Sequence, residues 1–281
     1  MNKLNFIGII VTYNPDIERL TDNIKSVSKQ VDEIYIFDNC SNNIQEIKKN
    51  ICGDNLTIYC SNSNKGIAAA LNHSLLYAAK SEYSWALQLD QDSIFPDNGV
   101  ENYKKLICID KSIGIIAPRI VDRNYMSNDY YNNDWEFIDE TINSGALINI
   151  DVWKKLNGYD ENLFLDCVDF DFDRRLLNAG YHIIRANNVE LLHELGNTRK
   201  ISLFGQNIMV YNYSARRKET QLIDQLKYEK KYGRKITRFV INKKVMRYII
   251  IIVFFEKDKI NKIRHVLNAR TMALQIFKRY H

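Results

Sequence analysis

Over the first ninety residues, apolar positions follow two alternating rhythms. "FIGIIVTY" (6–13) is a nearly continuous β-branched run that stops at "NPD", as in a strand buried on both faces. Ile17, Leu20, Ile24 and Val27 return at helical spacing, with Asn14 read as the N-cap and Pro15 as the first helical residue. "VDEIYIFDN" and "LTIYC" read as strands, "GIAAALNHSLLYAA" as a helix and "YSWALQLD" as a further strand. Strands alternating with helices predict an α/β fold around a Rossmann-like, doubly wound, mostly parallel sheet, whose ligands bind beyond the carboxyl ends of the strands. Polar clusters stand at four of those ends: "TYN" (12–14), "DN" (38–39), "SNSNKG" (61–66) and "DQD" (90–92). Each is also ordinary turn chemistry. Together they predict one nucleotide-binding crevice.

The second half is less regular. Residues 125–137 form a polar, aromatic insertion, and "TINSGALINI" reads as a strand with Gly145 at a point of close approach. "DVWKKLNG" is a short helix closed by Gly158, "DFDFDRRLLNAG" a helix stopped by Gly180, and "YHIIRA" and "VELLH" are strand-like. Beyond about residue 203 the pattern turns helical and basic, which divides the chain into a body, 1–203, and a helical region, 204–281.

Charge sharpens that division. The net charge of +5 hides 19 Lys/Arg against 5 Asp/Glu in residues 216–281, a balance of +14, while residues 1–215 stand at −9. The tail also holds Ile249–Phe255 and a loosely amphipathic end with Ile263, Val266, Leu267, Met272, Leu274 and Phe277. Two readings follow: packing on the body or on a second copy as a homodimer, or lying on an anionic membrane surface. The longest uncharged apolar run, 248–255, falls far short of the roughly 20 residues a spanning helix needs. Five cysteines without Cys-x-x-Cys spacing, and no signal segment before the first strand, lead us to expect a reducing cytoplasm and cysteines acting as small buried hydrophobes.

In "WALQLDQDS" strand alternation puts Trp85, Leu87 and Leu89 towards a core and Gln88, Asp90 and Asp92 on the other side. Two such carboxylates suit either a polar turn or a site where a cation meets phosphate. The acids Asp166, Asp169, Asp171 and Asp173 likewise suit the charge preference of a helix N-terminus.

As an ordered set, "VTYNP", "FDNCSNN", "NKGIAAALN", "LQLDQDS", "NSGALI", "FLDCVDFDFDRR" and "LLHELGN" resemble the inverting glycosyltransferases of family 2, with the glycosyltransferase A fold. The likeness spans roughly residues 5–220, and "LDQDS" is most similar to the bacterial rhamnosyltransferases of surface polysaccharide synthesis. The resemblance implies that Thr12, Tyr13 and Asn14 line the base pocket, and that Asp38 accepts from a pyrimidine N–H. Asn64, Lys65 and Gly66 would let the backbone approach the nucleotide. Asp92 would ligate Mg2+ or Mn2+, Asp90 would bind the ribose or the metal's water, His193 would complete the metal site, and Arg199 would clamp the diphosphate. Asp169 would be the general base, with Asp171 as its companion. Asp166 stays a second candidate, because Val168 stands where many relatives have Glu. Gly145, Asp171, Tyr213 and Arg216 would meet the acceptor, although Arg217 replaces an Asn common in relatives.

The implied donor is dTDP-L-rhamnose, with a UDP-hexose as alternative, and the implied acceptor is a lipid-linked saccharide. The implied setting is the inner face of a bacterial plasma membrane. A nucleotidyltransferase would be expected to carry a Gly-rich basic loop after the first strand, and "TYNPDIERL" is no such loop. A nucleic-acid partner is not expected, because the basic residues do not alternate with aromatics.

Overall fold

A computed structural model describes residues 4–122, 133–193, 199–203 and 206–278. Its first part runs β1 (Phe6–Thr12), α1 (Ile17–Val27), β2 (Glu33–Asp38), α2 (Ile44–Asn50), β3 (Leu56–Cys60), α3 (Ile67–Lys80), β4 (Trp85–Asp90) and α4 (Gly99–Ile107). There follow β5 (Ile113–Asp122), β6 (Trp135–Ile138), β7 (Leu147–Asn149), α5 (Ile150–Lys155), α6 (Val168–Asn178) and β8 (His182–His193). The chain continues through β9 (Arg199–Leu203), β10 (Gln206–Val210), α7 (Ala215–Lys231), α8 (Arg238–Phe255) and α9 (Lys259–Lys278). Two compact units result: Met1–Glu161 with Val168–Glu194, and Asn162–Cys167 with Leu195–His281.

The first unit is an eight-stranded sheet in the order β3-β2-β1-β4-β7-β5-β8-β6. β3, β2, β1 and β4 pair in parallel, as do β5 and β8. β7 runs antiparallel to both β4 and β5, and β6 antiparallel to β8. This is the expected mixed, mostly parallel α/β sheet. Ile10, Ile34, Leu87, Ile116, Leu147 and Ile184 are buried in its core.

Several local expectations need correction. Asp16, not Asn14, caps α1, its carboxylate accepting from the Arg19 amide. Asn14 takes a left-handed φ of 49° and serves the loop instead. Gln88 is buried like Leu87 and Leu89, because β4 is an interior strand covered on both faces. "TINSGALINI" yields only the three residues of β7, and "YHIIRA" and "VELLH" join into the single strand β8, with a register shift opposite Pro118/Arg119. The end of the polar insertion forms β6; residues 123–132 lie outside those described. None of the five cysteines is buried: Cys40, Cys52 and Cys108 are exposed, and Cys60 and Cys167 half-buried. They sit at turns, strand ends and helix boundaries rather than on core faces.

The second unit packs α7, α8 and α9 around Leu222, Leu226, Ile241, Ile252, Val266 and Phe277. α9 turns Val266, Ala269, Ala273 and Phe277 inward, whereas Leu267 and Met272, expected on the apolar face, are exposed. The small alanines allow α9 to approach closely. β9 and β10 form a separate antiparallel ribbon.

Candidate functional site

Parallel pairing alone brings the predicted clusters together. Thr12 is in register with Asp38, Asp38 with Cys60, and Val11 with Asp90, so four strands end at one level. The ends are then stitched side chain to backbone. Thr12 Oγ1 donates to Asp38 Oδ1 at 3.1 Å, and the Ser41 amide donates to Asp38 Oδ2 at 2.9 Å. The Asn14 amide donates to Ser41 Oγ and Asn14 Oδ1 accepts from the Asn42 amide at 2.7 Å. The Tyr13 amide donates to Gln91 Oε1 at 2.8 Å, and Asn39 Oδ1 accepts from the Lys65 amide at 2.7 Å.

Asp38 is buried while Tyr13, one residue beyond Thr12, is exposed. A closed polar floor therefore carries an open aromatic rim. Gly66 enters α3 at a φ of +82°, its amide bonded to Asn64 Oδ1 at 3.0 Å. Only a residue without Cβ takes that conformation cheaply. The helix N-terminus behind it favours an anion.

β4 ends at Asp90, and Asp92 lies in the turn that follows, so strand alternation no longer relates the two carboxylates. The turn is held from beneath. Asn23 of α1, fully buried, donates to the Asp90 carbonyl at 2.6 Å; Ser144 Oγ accepts from the Asp90 amide at 3.2 Å and meets Ser93 Oγ at 2.7 Å. Among the described residues no group of three or more His, Cys, Asp or Glu side chains could hold a metal. His193 ends β8 opposite Asp122, and Arg199 begins β9; the side chains of both lie outside the described residues.

The segment carrying Ser144 also reaches α6. The Thr141 amide donates to Asp173 at 2.7 Å, and Tyr159 Oη donates to Gln88 Oε1 at 2.9 Å and Asn143 Oδ1 at 3.1 Å. Burial first, and then the charges of Asp169 and Glu140, push the Asp173 carboxyl up to about 8 against the Thr141 amide, which lowers it. Asp169 is half-buried in the first turn of α6 and accepts from the Phe170 amide at 3.0 Å. Asp171 is fully buried and ion-paired with Arg175 at 2.9 Å, while Arg175 also donates to the carbonyls of Leu156 and Gly158 at 2.7 Å each. Its carboxylate is thus spent on the turn that ends α5. Gly145 has a φ of +79°, and an added Cβ would stand 2.6 Å from Pro118 Cγ. What approaches Gly145 closely is the protein's own core.

In the second unit, Asp166 accepts from Gln225 Nε2 at 3.0 Å and Gln221 Nε2 at 3.5 Å. Asp224 accepts from the amides of Phe164, Leu165 and Asp166 at 3.1, 2.8 and 3.1 Å. Tyr213 stacks on Tyr211 with ring centroids 5.2 Å apart, Arg217 lies 3.9 Å over the Tyr213 ring, and Arg216 is exposed. Sequence reading missed Asn23, Ser41, Gln91, Ser144 and Asp224. Gln91 was flagged only by its place between the aspartates, and Ser41 reads as ordinary turn chemistry three residues after Asp38; Asn23, Ser144 and Asp224 lack a local signal because their partners are distant in sequence.

The profile of glycosyl transferase family 2 matches residues 9–165. A dTDP-rhamnosyl transferase, RfbF, of Shigella flexneri is 27% identical over 233 residues, covering 74% of this chain and 75% of that protein. Among solved structures, the mannosyltransferase PcManGT from Pyrobaculum calidifontis, in complex with GDP-Man and Mn2+, superposes with a TM-score of 0.59 at 16% identity, over 99% of this chain and 76% of that one. S. aureus TarS 1-349 does so with a TM-score of 0.52 at 13% identity, over 99% and 93%. These two likenesses concern the fold.

Proposed function

The chain belongs to glycosyl transferase family 2, and from that premise we propose that it is an inverting transferase moving L-rhamnose from dTDP-L-rhamnose to a lipid-linked saccharide acceptor. The observation that carries the donor is the similarity to a dTDP-rhamnosyl transferase across three quarters of both chains. The crevice supports a nucleotide, with the buried Thr12–Asp38 pair as a polar floor for the base and Tyr13 as its rim. A thymine presents one N–H between two carbonyls, and the Asp38 carboxylate suits that donor. Gly66 and the start of α3 suit the diphosphate.

Asp90 and Asp92 suit a divalent cation, because hard oxygen donors are what Mg2+ and Mn2+ take. Mg2+ commonly uses one or two carboxylates and draws its remaining ligands from phosphates and water, so two protein acids suffice. When bound, such a cation supplies positive charge against the departing diphosphate. In this reading Asn23 and Ser144 fix the turn that carries both aspartates.

We assign the general base to Asp169. It takes the proton of an acceptor hydroxyl while that oxygen attacks the anomeric carbon opposite the leaving nucleoside diphosphate, which inverts the carbon. Asp169 is half-buried whereas Asp173 is buried, so Asp169 is the more open of the two to an acceptor.

The test is a donor panel. Purified protein with Mn2+ or Mg2+ should release nucleoside diphosphate from dTDP-L-rhamnose faster than from UDP-hexoses or GDP-mannose. Turnover of a UDP-hexose with none of dTDP-rhamnose would overturn the rhamnosyl assignment. Full activity in excess chelator would remove the cation.

A further inference from the structure

The second unit carries an outward face that its own packing does not explain. Residues 230–255 hold eight Lys/Arg and no Asp/Glu. Within them, α8 buries Ile241, Val245 and Ile252 against its neighbours while Phe239, Met246, Ile250 and Val253 are exposed, Phe239 at 75% and Met246 at 57%. At about 100° per residue these four fall within some 60° of arc. They make one apolar stripe along four turns. Phe254, 70% exposed, extends it at the end of the helix, and exposed Arg238, Lys243 and Arg247 flank it.

Of the five acids in residues 216–281, Asp258 is exposed just before α9 and the other four are held in pairs or hydrogen bonds. Glu256 is buried between Lys218 at 2.6 Å and Lys262 at 2.9 Å, Glu229 pairs with Arg234 and Lys244, Glu219 with His265, and buried Asp224 holds the 164–166 amides. Inward-facing lysines are thereby neutralised. The basic residues beside the stripe keep their field towards solvent. On α9 the exposed apolar residues Ile260, Leu267, Met272 and Ile276 are interspersed with exposed Arg264, Asn268, Thr271 and Gln275, so the unbroken apolar stripe belongs to α8.

We propose that the outer face of α8 is a membrane-docking surface that lies flat on an anionic bilayer, with Phe239, Met246, Ile250, Val253 and Phe254 in the acyl boundary and Arg238, Lys243 and Arg247 at the headgroups. Charge selects the occupant: a second copy would bring the same basic field against this one, whereas an anionic lipid surface complements it. Apolar residues along the middle of a basic helix face are the composition of a helix lying in the interface plane. No helix among the described residues is long and apolar enough to span a bilayer. The inference deepens the proposed function, resting on it for a lipid-linked acceptor, and gives that acceptor's membrane a place on the protein.

The experiment is co-sedimentation of the full chain with vesicles of phosphatidylcholine alone or mixed with phosphatidylglycerol, which requires neither donor nor acceptor. Binding is expected to the mixed vesicles only, and to weaken as salt rises. Met246→Ser with Ile250→Ser should lower it at least tenfold. Lys243→Gln should lower it about fivefold, since one basic residue near the surface is worth about that factor. Donor turnover should stay unchanged in all of these variants, so failure to bind and failure of the donor assignment are read separately. Equal binding to both vesicle types, no binding by the intact chain, or binding untouched by the stripe variant would overturn the proposal. A concentration-dependent dimer that the stripe variant dissolves would also overturn it, assigning the face to a second copy.

Discussion

Replacing Asp173 by Asn should make the protein more stable, by an amount that depends on pH in a way only a buried, protonated acid produces. The carboxyl is raised from 3.8 to about 8 by burial, with Asp169 and Glu140 adding repulsion. Below pH 4 it is protonated in both folded and unfolded chains. Between pH 4 and 8 the unfolded chain releases the proton and the folded one keeps it, so stability falls as pH rises, by about 1.4 kcal/mol per pH unit. The whole window amounts to on the order of 5 kcal/mol, and above pH 8 the loss is complete and constant. Asn keeps an oxygen for the Thr141 amide and has no proton to release. Urea unfolding of both proteins at pH 5, 6, 7 and 8 should therefore show midpoints that diverge with pH. At an m-value of roughly 2 kcal/mol per molar, even half the full effect separates them by about 1 M at pH 8. Parallel midpoints across the range would refute the reasoning, because Asp173 would then be ionised in the folded chain.

Arg175→Ala strands the fully buried Asp171 carboxylate and two carbonyls, and should cost about 3–5 kcal/mol, measured by denaturation. Gly145→Ala meets Pro118 at a left-handed backbone and should cost roughly 1–3 kcal/mol while changing KM for donor little. Asp224→Ala leaves three amides without their acceptor and should lower the thermal midpoint by several degrees, whereas Asp224→Asn, retaining one oxygen, should lower it less. Asp169→Asn should abolish transfer and leave donor binding intact, with Asp166→Asn milder; the reverse order in a single-turnover assay would move the base by three positions.

The first four strands were legible because each is a short apolar run ending in turn residues, and the parallel sheet follows from the helices between them. β5 escaped, although "IGIIAPRIVD" is as apolar as β1, because Pro118 and Gly114 interrupt it. The structure accommodates both, Pro118 at a register shift and Gly114 beneath Leu176. β7 was overdrawn for a related reason: apolar residues on either side of Gly145 continue a strand pattern, but the positive φ of that glycine breaks the ladder. Asn14 misled as a cap because Asn suits both an N-cap and a left-handed loop, and what decides here is the distant Asn42 amide.

The strand-end residues were legible for the same reason as the strands, since register carries Thr12, Asp38 and Asp90 to one level without further information. The acids of "DCVDFDFD" were not separable, because four identical side chains spaced over eight residues carry no label of their own. Their surroundings separate them. Arg175 occupies Asp171, burial pushes the Asp173 carboxyl up to about 8, and Gln221 and Gln225 donate to Asp166. Asp169 lies half-buried in the first turn of α6 whereas Asp173 is buried, and that difference in exposure is what supports the proposed assignment of the base. Residues 140–145 link two regions: Thr141 donates to Asp173 and Ser144 accepts from the Asp90 amide, so one short segment of irregular backbone touches both α6 and the turn after β4. In the function proposed here a shift of that segment would disturb donor side and acceptor side together, and hydrogen bonds hold it at both ends.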